Sequence, residues 1–263
     1  MYGYYKVGVI MINTFISDLD RTIIHSKSPG YKCVEFNGKK EITYMTEKSY
    51  VLLKSLLKKP DFLFVPCTMR DIKKVNRVGI IDAYKCPILI CDNGAQIYIY
   101  GKLDSFWNKN MREIVPRGEV LNIIEHLINI GIEKTWIRNI DDFYVSIHTG
   151  NSNDSVSIYN RIKDDFSDKI DVFVVGSKVF VINKQINKKN AVEYILNKFG
   201  IDNYILSGDS LVDKGFTGLG KSILPAHASF CHNSSVITSS KGIYSSEEIL
   251  EFVKNEFYRK GVY

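Results

Sequence analysis

Residues 15–24 read FISDLDRTII, an apolar run that breaks into Asp18, Leu19, Asp20, Arg21 and Thr22. The stretch Thr14–Ser17 has the length and apolar character of a strand covered on both faces, as in a parallel sheet. Carboxylates just beyond such a strand fall at the carboxyl edge of the sheet, where α/β proteins assemble their sites. Two acids this close repel unless a cation or a proton comes between them. The arrangement recurs late in the chain, where the strand Tyr204–Ser207 runs into Gly208, Asp209, Ser210 and then Asp213. Alone, Asp209 or Ser210 could do no more than cap a helix. Acids at the ends of two strands, with few bases close by, suit a hard cation such as Mg2+.

Outward from these two edges the chain alternates strands with amphipathic helices, the pattern of an α/β protein. A helix begins at Thr46 with Leu52, Leu53, Leu56 and Leu57 at helical spacing, and Pro60 stops it. Strand Phe62–Val65, a short helix Asp71–Gly79, strand Ile88–Cys91, the turn Asp92-Asn93-Gly94 and strand Gln96–Tyr100 follow. Beyond Gly101 the texture changes. A helix after Pro116 ends at Gly131, strand-like stretches fall at Thr135–Arg138 and Phe143–His148, and a polar helix covers Asp154–Phe166. Strands Val172–Val175 and Val179–Ile182 complete a set that fits an antiparallel sheet with two helices on one face. From Lys188 the βα rhythm returns, with helix Lys188–Phe199 and a final helix Glu247–Phe257. The expected architecture is a Rossmann-like parallel-sheet core, residues 1–100 and 185–263, interrupted by an inserted α+β module at 101–184.

The chain has 263 residues, 45% hydrophobic and 24% charged, with a net charge of +6. That composition excludes disorder and collagen-like repeats. No apolar run approaches the roughly 18 residues of a membrane span. The positive excess is spread over Lys-rich helices, so it argues only weakly for nucleic acid and suits an anionic small substrate equally well. The five cysteines (33, 67, 86, 91 and 231) form no CxxC pair, which reads as reduced thiols in a cytoplasmic protein. The first twenty residues carry no basic segment or cleavage site of a leader, and Met11 is a possible alternative start.

Two single residues join the acids. Thr68 follows strand FLFVP and can donate a hydroxyl hydrogen bond to an oxyanion; Lys188 opens its helix and can point a compact charge into the same cleft. In order, Asp-x-Asp-x-Thr, Thr, Lys and Gly-Asp-Ser-x-x-Asp at successive strand ends resemble the haloacid dehalogenase (HAD) superfamily of phosphohydrolases. The resemblance covers the whole chain. The Asn93-Gly94-Ala95 turn and the insert between the Thr and Lys motifs are similar to the Cof-like and sucrose-phosphatase-like subgroup, which has a large α/β cap. The resemblance implies Asp18 as nucleophile, Asp20 as general acid and base, Thr68 as a phosphoryl ligand and Lys188 as charge neutraliser. It also implies Mg2+ held by Asp18, Asp209, Asp213 and the carbonyl of Asp20. The implied reaction is hydrolysis of a small phosphorylated metabolite, a sugar phosphate by analogy. Phosphoryl transfer needs positioning and charge neutralisation above all, and these residues can supply both. Candidate substrate contacts are Thr22, Arg70 and Asn93 in the core and Arg117, Arg138, His148 and Lys178 in the cap.

The sequence departs from the family pattern at Arg21 and Met69, where Gly is commoner, at Lys189 after the motif lysine, and at Val212 in place of Asn. A phosphotransferase or mutase using the same aspartyl phosphate, or a metabolite-binding protein without turnover, are the alternatives. Gly215–Ser222 matches the P-loop letters, but no strand leads directly into it and Pro225 interrupts the helix it would need. Cys67 reads as a small buried apolar residue and not as a nucleophile. Trp107 and Trp136 read as packing residues within the cap.

Overall fold

A computed structural model describes residues 12–26 and 28–259; the question of Met1 or Met11 as the start lies outside them. The buried strand Asn13–Ser17 is the centre of a parallel sheet, flanked by Tyr204–Ser207 on one side and Phe62–Pro66 on the other. Single bridges extend the sheet in both directions, from Leu206 to Ser222 and from Cys67 to Ile90. Strand Ile88–Cys91 then turns back antiparallel into Gln96–Ile99. All three central strands point the same way, so Asp18, Thr68 and Asp209 emerge at one edge.

Phe15, Phe64 and Ile205 alternate with Ile16, Val65 and Leu206, and each of these side chains is buried. Both faces are therefore covered, which explains the continuous apolar runs. Helices Glu47–Leu57 and Ser245–Tyr258 lie with one set, sharing a core with Leu53, Leu56, Ile249 and Val253. Helix Lys188–Phe199 buries Ala191, Val192 and Ile195 with the other.

The inserted α+β module carries a four-stranded antiparallel sheet in the spatial order Ile170–Val175, Lys178–Asn183, Tyr144–His148, Ile137–Ile140. Val145, Ile147, Val179 and Val181 are buried with Val120, Ile123 and Leu127 of helix Arg117–Asn129 and Ile158 and Ile162 of helix Ser152–Ile162. The alternate set on these strands includes Arg138, Ser146, His148, Lys178 and Phe180, brought level by the registers Lys178↔His148, Phe180↔Ser146 and Arg138↔Ser146. This face turns toward the core: the Tyr144 hydroxyl lies 3.5 Å from the carbonyl of Met69, beside Thr68.

Several elements differ from the sequence reading. A hairpin, Lys32–Asn37 with Lys40–Met45, was not expected, because its register shifts around Glu35 break the period-two pattern. The helix expected over Asp71–Gly79 is two short ones, Ile72–Val75 and Gly79–Tyr84. Helix Ser105–Ile114 was also missed, and it carries Trp107. That indole does not pack within the cap alone: it donates to the Gly94 carbonyl at 2.9 Å and lies 4.8 Å from the Tyr194 ring of helix Lys188–Phe199. Trp136 is not a core residue either, being 37% exposed. No helix follows Lys221; the chain enters the short strand Ile223–Leu224, and Lys221 pairs with Glu256. The cysteines are free thiols, and among the described residues no helix is long and apolar enough to cross a membrane.

Candidate active site

The first acid is fixed by its strand. The Asp18 amide donates to the Ser207 carbonyl at 2.9 Å, while the Cys67 amide donates to Ser17 at 2.8 Å, so three strand ends are tied together just where the chain leaves the sheet. Helix Lys188–Phe199 delivers the lysine. Asn187 caps it by accepting from the Asn190 amide at 2.9 Å, and Asn93 donates to the Ile186 carbonyl at 3.2 Å. Gly94 is required at this junction: with φ +94° it lies so close that a Cβ would meet the Asn187 carbonyl oxygen at 2.5 Å.

Lys188 is buried, and its Nζ donates to Asp18 Oδ1 and to Asp213 Oδ1, both at 2.6 Å. Burial opposes a charged lysine, but the two carboxylates outweigh it and hold the ammonium well above its ordinary range. The other oxygen of Asp213 accepts from the amides of Asp209 and Ser210 and from the Ser210 hydroxyl, at 2.9–3.1 Å. Gly208 permits that closeness, since a Cβ there would fall 2.4 Å from the Asp213 Cβ. Both Asp213 oxygens are thus committed to the protein, one to Lys188 and one to its own turn.

Asp18, Asp209 and Asp213 are all buried and offer oxygens within 4.8 Å of one another. Burial, opposed by Lys188 and reinforced by Asp213, Asp209 and Asp20, pushes the Asp18 carboxyl well above the usual range. Burial and Asp213 push Asp209 up to about 7. Hard oxygen donors crowded until they resist ionisation fit a divalent cation, which would relieve that crowding. Asp18 and Asp209 have the freer oxygens; Asp213 is engaged in orienting the lysine.

Asp20 is held from the other side. Arg70 forms a two-pronged pair with it, Nε to Oδ2 at 2.6 Å and Nη2 to Oδ1 at 2.7 Å. The remaining prong, Nη1, reaches Glu35 at 2.8 Å. Glu35 is fully buried and also accepts from Arg77 and Thr43. The unexpected hairpin therefore anchors the arginine that orients Asp20. Thr68 Oγ1 accepts from the Arg70 amide at 3.2 Å, which leaves its hydroxyl hydrogen free for another partner. Burial drives the Cys67 thiol upward, so this cysteine stays protonated.

Arg21 adopts φ +63°, the left-handed conformation that glycine favours. Its Nε lies 3.3 Å from Asp209 Oδ2. His227 braces the turn: its Nδ1 accepts from the Gly242 amide, so Nε2 is the nitrogen that donates to the Arg21 carbonyl at 2.9 Å. The remaining candidates scatter. Thr22 is buried, its hydroxyl unpartnered among the described residues. Asn93 is buried in the junction beneath the Lys188 helix. Arg117 sits at a cap-helix start, 3.6 Å from Asp142. Arg138, His148 and Lys178 share the strand face described above. Sequence reasoning missed Glu35 and Arg77; Arg21 was marked in advance by its departure from glycine.

A parallel-sheet core interrupted by an α+β module, with a lysine bridging two acids at the sheet edge, has the fold and the acid-lined edge of the HAD superfamily of phosphohydrolases. The family model for sucrose-6F-phosphate phosphohydrolase matches residues 12–223. The chain belongs to that family and is a phosphomonoester hydrolase. No curated protein matches it in sequence. Among solved structures, the sucrose-phosphatase from Synechocystis sp. PCC6803, determined with sucrose and phosphate, superposes with a TM-score of 0.64 at 14% identity, covering 92% of this chain and 98% of that one. A trehalose-6-phosphate phosphatase related protein gives 0.60 at 16% identity, over 95% and 100% of the two chains. A Thermotoga maritima protein gives 0.63 at 16%, over 92% and 97%. At these identities the superpositions speak to the fold.

Proposed function

We propose that the protein is a Mg2+-dependent phosphatase of a small sugar phosphate, with residues 101–184 acting as the cap over the site. The observation that carries this reading is the buried Lys188 bridge between Asp18 and Asp213 at the sheet edge, with Asp20 and Thr68 beside it. Asp18 is the nucleophile: its carboxylate attacks phosphorus and the ester oxygen leaves, giving an aspartyl phosphate. Asp20, oriented by Arg70, protonates the departing oxygen and then takes a proton from the water that cleaves the acyl phosphate. Thr68 donates its free hydroxyl hydrogen to a phosphoryl oxygen. Lys188 has one ammonium proton beyond the two given to Asp18 and Asp213, and it directs that proton at the same group. Asp18, Asp209 and the Asp20 carbonyl would hold Mg2+, which when bound supplies charge neutralisation for the transferring group. Asp213 keeps Lys188 in place.

The test is phosphate release from a panel of sugar phosphates and from p-nitrophenyl phosphate, with Mg2+ or EDTA. Wild type should turn over only with Mg2+, and Asp18→Asn should reduce the rate by a factor on the order of 10³ or more. Undiminished turnover in Asp18→Asn would remove Asp18 as nucleophile. Release that requires an acceptor sugar would instead favour a phosphotransferase.

A further inference from the structure

The cap face opposite the catalytic acids carries a charge pattern that hydrolysis of a simple ester does not explain. Lys178 and His148 are direct cross-strand partners, and Arg138 stands level with Ser146 on the next strand. Side chains on one face of adjacent strands sit within about 5.5 Å of their partners, so these groups form one patch. Lys178 has no ion pair or hydrogen bond among the described residues. Arg138 uses one guanidinium nitrogen on the carbonyls of Thr135 and Ile137, and no carboxylate meets the rest. His148 engages only the Ser146 hydroxyl, at 3.0 Å. By register the acid on this face of the strands is Asp171, level with Ile182 on the outer strand, four residues along from Lys178. Across the cleft the same field includes Arg70 and Lys74 as well as Asp20, and the first is saturated by Asp20 and Glu35, the second by Asp71.

A neutral sugar presents hydroxyls that both donate and accept, and sites for them need acceptors as well as donors. This face sets two cationic donors, Lys178 and Arg138, beside the Ser146 hydroxyl and the His148 ring, while its carboxylate, Asp171, lies four positions along the strand from Lys178. We propose that it is a second oxyanion subsite, and that the preferred leaving group carries a further phosphate or carboxylate besides the ester phosphate at Asp18. This rests on the phosphatase reading and narrows its substrate class. The like-charge crowding is visible at His148, which burial together with Lys178, Arg138 and Lys74 pushes down to about 4, so it stays neutral until an anion arrives.

The test uses matched esters: glucose 6-phosphate against 6-phosphogluconate, which adds a carboxylate, and fructose 6-phosphate against fructose 1,6-bisphosphate, which adds a phosphate. At low ionic strength at least one acidic member should exceed its neutral partner by about tenfold in kcat/KM, equal to about 1.4 kcal/mol. Lys178→Gln combined with Arg138→Gln should shrink that ratio to within about threefold. The pair that shows the preference also tells carboxylate from phosphate. In the Asp18→Asn protein, binding of the preferred acidic ester should raise the His148 titration midpoint seen by NMR. Neutral esters turned over as well as acidic ones, or a preference that survives the double substitution, would overturn the subsite while leaving the phosphatase intact. Failure to hydrolyse even p-nitrophenyl phosphate with Mg2+ would bring down both.

Discussion

At the core edge every acid of the site meets a cation of the protein: Asp18 and Asp213 share Lys188, Asp20 has Arg70, and Asp209 has Arg21. On the cap face Lys178 and Arg138 meet no carboxylate among the described residues. The first region is complete before any ligand comes, because buried charges without partners would destabilise the fold. The second is half solvated and can leave its charge uncompensated at little cost. On the proposed reading, chemistry is placed where burial fixes geometry, and selection where exposure tolerates imbalance.

Two lysines put that contrast to the sharpest test. Lys188→Met strands Asp18 and Asp213 in the interior; it should abolish turnover and destabilise the protein by about 3–5 kcal/mol in urea unfolding at neutral pH. Lys178→Gln removes a charge that has no ion pair or hydrogen bond among the described residues, and its unfolding midpoint should match wild type. Equal stability of the two variants would show that the central ion pairs are as dispensable as the cap charges.

The joint between the regions holds an exception. Asp92 is fully buried with neither carboxylate oxygen hydrogen-bonded among the described residues. Burial, with Asp141 of the cap and Asp71 of the core against a weaker pull from Lys74, pushes it up to about 8. Cys91, Tyr98 and Tyr144 also face it. Its folded value lies above the unfolded 3.8, so the protein gains no penalty below about pH 4 and loses stability progressively as pH rises from there to about 8. Asp92→Asn should remove that slope and be about 5 kcal/mol more stable than wild type near pH 7.5, yet nearly equal to it near pH 4. Parallel stability profiles for the two proteins would mean that Asp92 is compensated after all.

What could be read from the sequence divides along the same line. Strand ends rich in acids, a Thr and a Lys at matching places and the NGA turn all announce themselves because each sits where apolar periodicity stops. Glu35 does not: it lies in a hairpin whose bulges scramble the alternation, and its role depends on Arg70 and Arg77 arriving from elsewhere. Asp213 was legible as an expected Mg2+ ligand, but its double engagement with Lys188 and its own turn is a matter of three-dimensional packing. For the cap, the sequence named Arg138, His148 and Lys178 with Arg117. Only strand register shows that the first three share a face and that Arg117 lies on a helix instead.

Arg21 offers the mildest probe, because it belongs to both regions: it is exposed like the cap cations and paired like the core ones. Its left-handed backbone is strained for any residue with a Cβ, whereas glycine takes it freely. Its guanidinium competes for Asp209, a carboxylate that a divalent cation would need. Arg21→Gly should therefore tighten Mg2+ binding about two- to fivefold, as measured by calorimetric titration at low salt. The gain should shrink as salt is raised, since an exposed charge is screened while a buried pair such as Lys188–Asp18 is not. Unchanged Mg2+ affinity would place the Arg21 side chain with the cap cations, free to leave Asp209 at no cost. A gain that persists in high salt would place it with the core pairs, as a fixed element of the site.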